Sequence, residues 1–134
     1  MRRVWIFITG CSRSGTSTTA SFLRAHKRIA MGTERYATLL NSQGVLTQDL
    51  FEKERFCEDL REGDTHHKRL NPYYGKLAQR FDSCVGVGDK IPDLHRQFDG
   101  MRENFPGAKF LFMLRDIYPV AQSFEVRSEL VPEN

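Results

Sequence analysis

The chain has 134 residues, 40% apolar and 28% charged, with a formal net charge of +3. That length suits one domain with one core, and the composition excludes disorder. The charge is too mild for a nucleic-acid-binding surface but suits an anionic small ligand.

The start of the chain is basic (Arg2, Arg3) and then apolar, and the apolar run stops at Thr9-Gly10. It is too short for a signal-peptide core or a membrane span. The continuous β-branched and aromatic run 4–8 predicts a buried strand. A Gly/Ser/Thr-rich turn follows, and then Ala20, Phe22, Leu23 and Ala25 at helical spacing. Residues 33–82 are polar and show no clear strand. Within them, 47–60 and 73–81 have helical spacing, and Leu70-Asn71-Pro72 breaks the chain. The strand-helix unit then returns, with a strand at 84–88, a helix over 92–104, a strand at 109–114 and a helix over 117–128. Pro119 is tolerated in the first turn of that last helix. Alternation of this kind predicts a three-layer α/β domain, a parallel sheet flanked by helices, in which the three strands are neighbours.

The cysteines Cys11, Cys57 and Cys84 form no CxxC pair and no even set. Neither a zinc site nor a disulfide framework is expected, and a reducing, cytoplasmic location is the simpler reading. His26, His66, His67 and His95 have no metal-ligand spacing, and each reads as structural or solvated.

The segment Gly10-Cys11-Ser12-Arg13-Ser14-Gly15-Thr16-Ser17 joins a buried strand to a helix. Glycines allow successive N–H groups to point inward, and the helix N-terminus adds positive potential, which makes an anion cradle. A plain capped turn is the alternative. The Walker pattern GxxxxGK[ST] fails because Thr16 stands where the lysine belongs. A cysteine-phosphatase loop fails because Ser17 stands where its arginine belongs. Further on, the strand 109–114 ends in Arg115-Asp116, with Ser123 eight positions after Arg115. Ligands of open α/β sheets gather beyond the carboxyl ends of strands, so Arg115 is placed to meet one. An exposed Arg115–Asp116 pair is the competing reading.

Arg13-Ser14-Gly15-Thr16-Ser17 resembles the 5′-phosphosulfate loop of the sulfotransferases that use 3′-phosphoadenosine 5′-phosphosulfate (PAPS). Arg115 and Ser123 resemble that family's 3′-phosphate pair, with Ile117 in place of its usual proline. The resemblance covers nearly the whole chain and is nearest to the bacterial and tyrosylprotein-type branch. It implies a P-loop-like fold in one domain, 1–134, with 33–82 as a mainly helical insertion on the acceptor side. It implies that Arg13, Ser14, Gly15, Thr16 and Ser17 hold the 5′-phosphate and that Arg115 and Ser123 hold the 3′-phosphate. It also implies chemistry without a metal. Lys90, in Gly88-Asp89-Lys90-Ile91-Pro92, matches a lysine on the leaving phosphate, and Glu34, in Gly32-Thr33-Glu34-Arg35, matches a glutamate base. Arg35 could orient the acceptor or Glu34, and Asp89 and His95 are rival bases.

The expected activity is sulfuryl transfer from PAPS to a hydroxyl or amine of a small-molecule, carbohydrate or peptide acceptor. A PAPS-binding remnant without turnover, or a kinase-like phosphotransferase, is the alternative. Such sulfotransferases usually continue past the second motif. The expectation is therefore a fold incomplete at its C-terminus, with an uncovered face that favours self-association.

Overall fold

The opening apolar run is strand β1 (Val4–Gly10), and the Gly/Ser/Thr-rich turn leads into helix α1 (Thr16–Ala25). The computed structural model describes residues 2–64 and 67–130, so His66 lies outside the described residues. Next comes strand β2 (Ile29–Thr33), which no sequence signal announces. It is short, contains Ala30 and Gly32, and follows His26-Lys27-Arg28 without a turn residue. The middle of the chain carries α2 (Ala37–Gln43), a 3-10 turn at Gln48–Phe51, a wide π-type turn at Glu54–Glu58, and α3 (Asn71–Ala78). Strand β3 (Gly86–Lys90) follows, then a 3-10 segment at Pro92–Gln97, α4 (Phe98–Asn104), β4 (Lys109–Met113) and α5 (Ile117–Leu130).

The four strands form one parallel sheet in the order β2-β3-β1-β4. The three strands expected from the sequence are therefore neighbours, with β1 between β3 and β4. The chain travels outward from β1 to β2, returns through β3, and crosses to β4 on the far side of β1. That reversal opens a crevice at the carboxyl end of β1, where ligands of doubly wound sheets bind.

Alternate residues of each strand serve opposite faces. Ile8 and Met31 pack with Ala20 beneath α1. Phe7, Ala30 and Val87 face a second core built from the middle of the chain, with Tyr36, Phe51, Phe56, Tyr74, Phe81 and Phe105. The rings meet edge to face, Phe7 with Phe105 at 4.9 Å and with Phe51 at 5.6 Å. Each such pair adds about 0.5–1.5 kcal/mol beyond burial. At Gly88 a Cβ would fall 1.5 Å from the Ile6 carbonyl oxygen, so this close strand pairing requires glycine. On the other side of β1 the packing is thinner. Leu111, Phe112, Leu114, Ile117, Tyr118 and Phe124 are all exposed.

Three local readings change for identifiable reasons. Strand β3 runs two residues later than 84–88, because the charged Asp89 and Lys90 find buried partners and stay in the sheet. The helix expected over 92–104 begins as a 3-10 segment. The Thr9 hydroxyl donates to the Pro92 carbonyl at 2.8 Å, and the His95 N–H donates to the Thr9 hydroxyl at 3.0 Å, pinning the segment to β1. Residues 47–60 form no continuous α-helix. Arg35, fully buried, donates there to the carbonyls of Arg55 (2.9 Å), Phe56 (3.1 Å) and Asp59 (3.2 Å). Its guanidinium also pairs with Asp64 at 3.3 Å. A guanidinium can satisfy several carbonyls at once, and here it takes acceptors that an α-helix would keep for itself.

Candidate active site

The turn between β1 and α1 folds on itself through the Ser14 N–H, which donates to the Cys11 carbonyl at 3.2 Å. The Ser14 hydroxyl donates to the same carbonyl. Gly15 has φ 92° and Arg13 φ 68°, both left-handed. Helix α1 starts at Thr16 and has no side-chain cap, so its first N–H groups are presented to the crevice.

Arg13 Nε donates to Ser123 Oγ at 2.7 Å, and Arg115 Nη1 donates to the Arg13 carbonyl at 3.1 Å. Two motifs at opposite ends of the sequence thus share one cluster. The carboxyl end of β4 delivers Arg115, and the second turn of α5 delivers Ser123.

Facing this cluster is Glu34, just beyond the carboxyl end of β2. Its backbone is left-handed, with φ 51°. Among the described residues, Arg13 and Glu34 are the two non-glycine positions with positive φ. Such strain costs about 1–3 kcal/mol and concentrates at functional sites. The Glu34 N–H donates to the Lys90 carbonyl at 2.7 Å, which locks the turn to the end of β3. Lys90 Nζ donates to Glu34 Oε1 at 2.9 Å, and His67 Nε2 lies 3.3 Å from Glu34 Oε2. The Lys90 side chain is 2% exposed. It is no solvated loop lysine but a buried cation at a strand end.

Asp89 and Arg35 build the turn that aims Glu34. The fully buried Asp89 carboxylate accepts from the N–H groups of Arg35 (3.1 Å), Tyr36 (3.0 Å) and Lys90 (2.9 Å). Burial pushes its carboxyl up to about 7, opposed by those three N–H groups and the Arg35 guanidinium. A Cβ at Gly32 would stand 2.7 Å from Asp89 Oδ1, so glycine there makes room for the carboxylate. Asp89 has no route to an acceptor and is not a rival base. The Arg35 side chain is buried in the core, so it bears on Glu34 through that turn. His95 Nδ1 lies 3.2 Å from the Thr9 hydroxyl, and its ring packs against Phe112 at 5.3 Å.

A cleft of about 240 Å³ is lined by Arg13, Gly15, Thr16, Ser17, Glu34, Lys90, Arg115 and Ser123. The residues given phosphate-binding or catalytic roles by the resemblance are therefore together, except Ser14, whose hydroxyl turns back into its own loop; Arg35, Asp89 and His95 lie outside this lining. Ser12, Thr18, Pro92 and Arg127 also line the cleft, and His67 reaches its edge through Glu34. For Arg127, one turn beyond Ser123 on α5, the four-residue spacing was a usable signal. No sequence signal marks His67, because its approach to Glu34 depends on how the middle segment packs.

The arrangement gathers a helix N-terminus without a side-chain cap, four basic side chains and one carboxylate around one cleft. A sequence model described as the sulfotransferase family matches residues 6–132. The chain belongs to the sulfotransferase family. No curated protein matches it. As a sulfotransferase it is a transferase with an α/β parallel-sheet fold. Among the described residues, no group of three or more His, Cys, Asp or Glu side chains could hold a metal ion. None of the described helices is long and apolar enough to cross a membrane.

Proposed function

We propose that this sulfotransferase takes its sulfuryl group from PAPS and passes it to a hydroxyl or amine of a small-molecule, carbohydrate or peptide acceptor. The observation that carries the reading is the hydrogen bond from Arg13 to Ser123. It supports the reading because the loop 13–17 and the Arg115/Ser123 pair then share one cleft, whose lining also includes Glu34 and Lys90. The residues fit the donor chemically. Uncapped N–H groups with the Thr16 and Ser17 hydroxyls suit a 5′-phosphate, and Arg115 with Ser123 suits a 3′-phosphate.

In this reading the acceptor oxygen forms a bond to sulfur and its proton passes to Glu34. The bond from sulfur to the bridging phosphate oxygen breaks, and the nucleotide leaves with the electron pair as 3′-phosphoadenosine 5′-phosphate (PAP). Arg13 and Lys90 stabilise the charge that gathers on the leaving phosphate. The Lys90–Glu34 pair also fixes the direction of the Glu34 side chain before the acceptor arrives.

Transfer of radiolabelled sulfate from PAPS to a panel of hydroxylated acceptors, with a metal chelator present, tests the proposal. Label should move, and metal removal should leave the rate unchanged. PAP binding without transfer to any acceptor would mark a binding-only protein. Transfer of phosphate from ATP that requires magnesium would point to a phosphotransferase instead.

A further inference from the structure

A second cavity of about 410 Å³ opens beside the first and shares Arg13, Ser17, Glu34 and Arg127 with it. It runs away from the phosphate cradle, toward Arg24 on α1, Thr33 at the end of β2, and His67 and Arg69 ahead of α3. Glu34 therefore stands between two chambers, one suited to the donor and one to whatever receives the sulfuryl group.

The second chamber has a pronounced chemical bias. Four guanidinium groups, of Arg13, Arg24, Arg69 and Arg127, line it against the single carboxylate of Glu34, which Lys90 and His67 already engage. Leu70 is the one apolar side chain among its lining residues, and the hydroxyls of Ser17, Ser21 and Thr33 supply the rest of the wall. Arg24 is fixed in direction. Its Nη1 donates to Thr33 Oγ1 at 2.6 Å, its Nη2 to Ser21 Oγ at 3.1 Å, and its guanidinium lies 5.6 Å from the centre of the Tyr73 ring. A pre-oriented guanidinium loses little freedom when it grips an oxyanion, and its fork matches carboxylate, phosphate and sulfate. An apolar acceptor would strip water from these cations and return nothing for it.

We infer that the acceptor is a hydroxylated anion, whose carboxylate, phosphate or sulfate is held by Arg24, Arg69 and Arg127 while its hydroxyl faces Glu34. The inference rests on the sulfotransferase reading of Glu34. It sets a hydrophilic, acidic acceptor such as a sugar acid or sugar ester against an apolar phenol.

The test is calorimetry on the protein saturated with PAP, so that the phosphate cradle is filled. Glucose, glucuronate and glucose 6-phosphate are titrated in turn, the last two separating carboxylate from phosphate recognition. At least one of the anions should bind about tenfold or more tighter than glucose, as a charged hydrogen bond implies. The excess should shrink in about 0.5 M salt. Arg69→Ala should remove most of it and leave PAP affinity as in the wild type. Equal binding of all three sugars would overturn the inference, as would an excess that survives both Arg69→Ala and Arg24→Ala. PAP affinity is read in the same experiment. If PAP does not bind but the Arg69-dependent anion preference persists without it, the donor assignment fails and the anion chamber stands.

Discussion

Glu34 is held from both sides, by Lys90 on one carboxylate oxygen and His67 on the other, and its strained backbone fixes where it points. Its replacement by glutamine keeps the size and most of the hydrogen bonding but removes proton acceptance. Turnover of Glu34→Gln should collapse by about 10²-fold or more, with PAP affinity near wild type. Wild-type turnover would show that Glu34 is not the base. Arg13 answers to a different measurement. If it stabilises charge built up during transfer, Arg13→Ala should lower kcat by about 10²-fold or more. A raised KM with unchanged kcat would make it a plain binding contact. At this scale the sequence was informative for the loop 10–17, from its glycines between strand and helix, and for the Arg115/Ser123 pair, through the family resemblance; the structure brings both onto one cleft. His67 reads from the sequence as structural or solvated, and the burial of Asp89 and Arg35 does not show there, because the partners of all three are set by packing.

The turn between β2 and α2 is the element on which the site depends, and it stands on two buried charges. Arg35→Met would leave three carbonyls and Asp64 without the guanidinium. Breaking a buried pair in this way costs about 3–5 kcal/mol. Urea unfolding should show the loss, and a change below about 1 kcal/mol would mean that Arg55, which also pairs with Asp64, carries the turn alone. Asp89 gives a pH signature. Burial holds its folded-state pKa near 7, above the ~4 of an unfolded chain. Between those values the folded protein binds more protons than the unfolded one. This group's stabilising contribution is therefore full below about pH 4 and lost as pH rises through about 7. Unfolding free energies measured across that window should fall more steeply in the wild type than in Asp89→Asn, and identical slopes would contradict the assignment. Strands β1, β3 and β4 were legible because each contains a run of apolar or small residues, although β3 continues into charged Asp89 and Lys90. Strand β2 was not, since its place in the sheet comes from pairing with β3 rather than from its own residues.

At the scale of the whole molecule, one side of the sheet is closed by a deep aromatic core and the other ends in β4 and α5, which carry exposed Leu111, Phe112, Leu114, Ile117 and Tyr118. Exposed apolar strips beside an open strand edge promote association. Sedimentation velocity should show a weight-average mass that grows with protein concentration, and a constant monomer would show that water tolerates the strip. The central claim is that two distant motifs form one site for a nucleotide with phosphates at both ends, and the 3′-phosphate is what sets such a nucleotide apart. Calorimetry with PAP and with AMP, which lacks only that phosphate, tests it most directly. Arg115 and Ser123 should make PAP bind at least about tenfold tighter than AMP. Arg115→Ala should erase most of that margin by weakening PAP alone. Equal affinity for PAP and AMP in the folded protein would contradict the account.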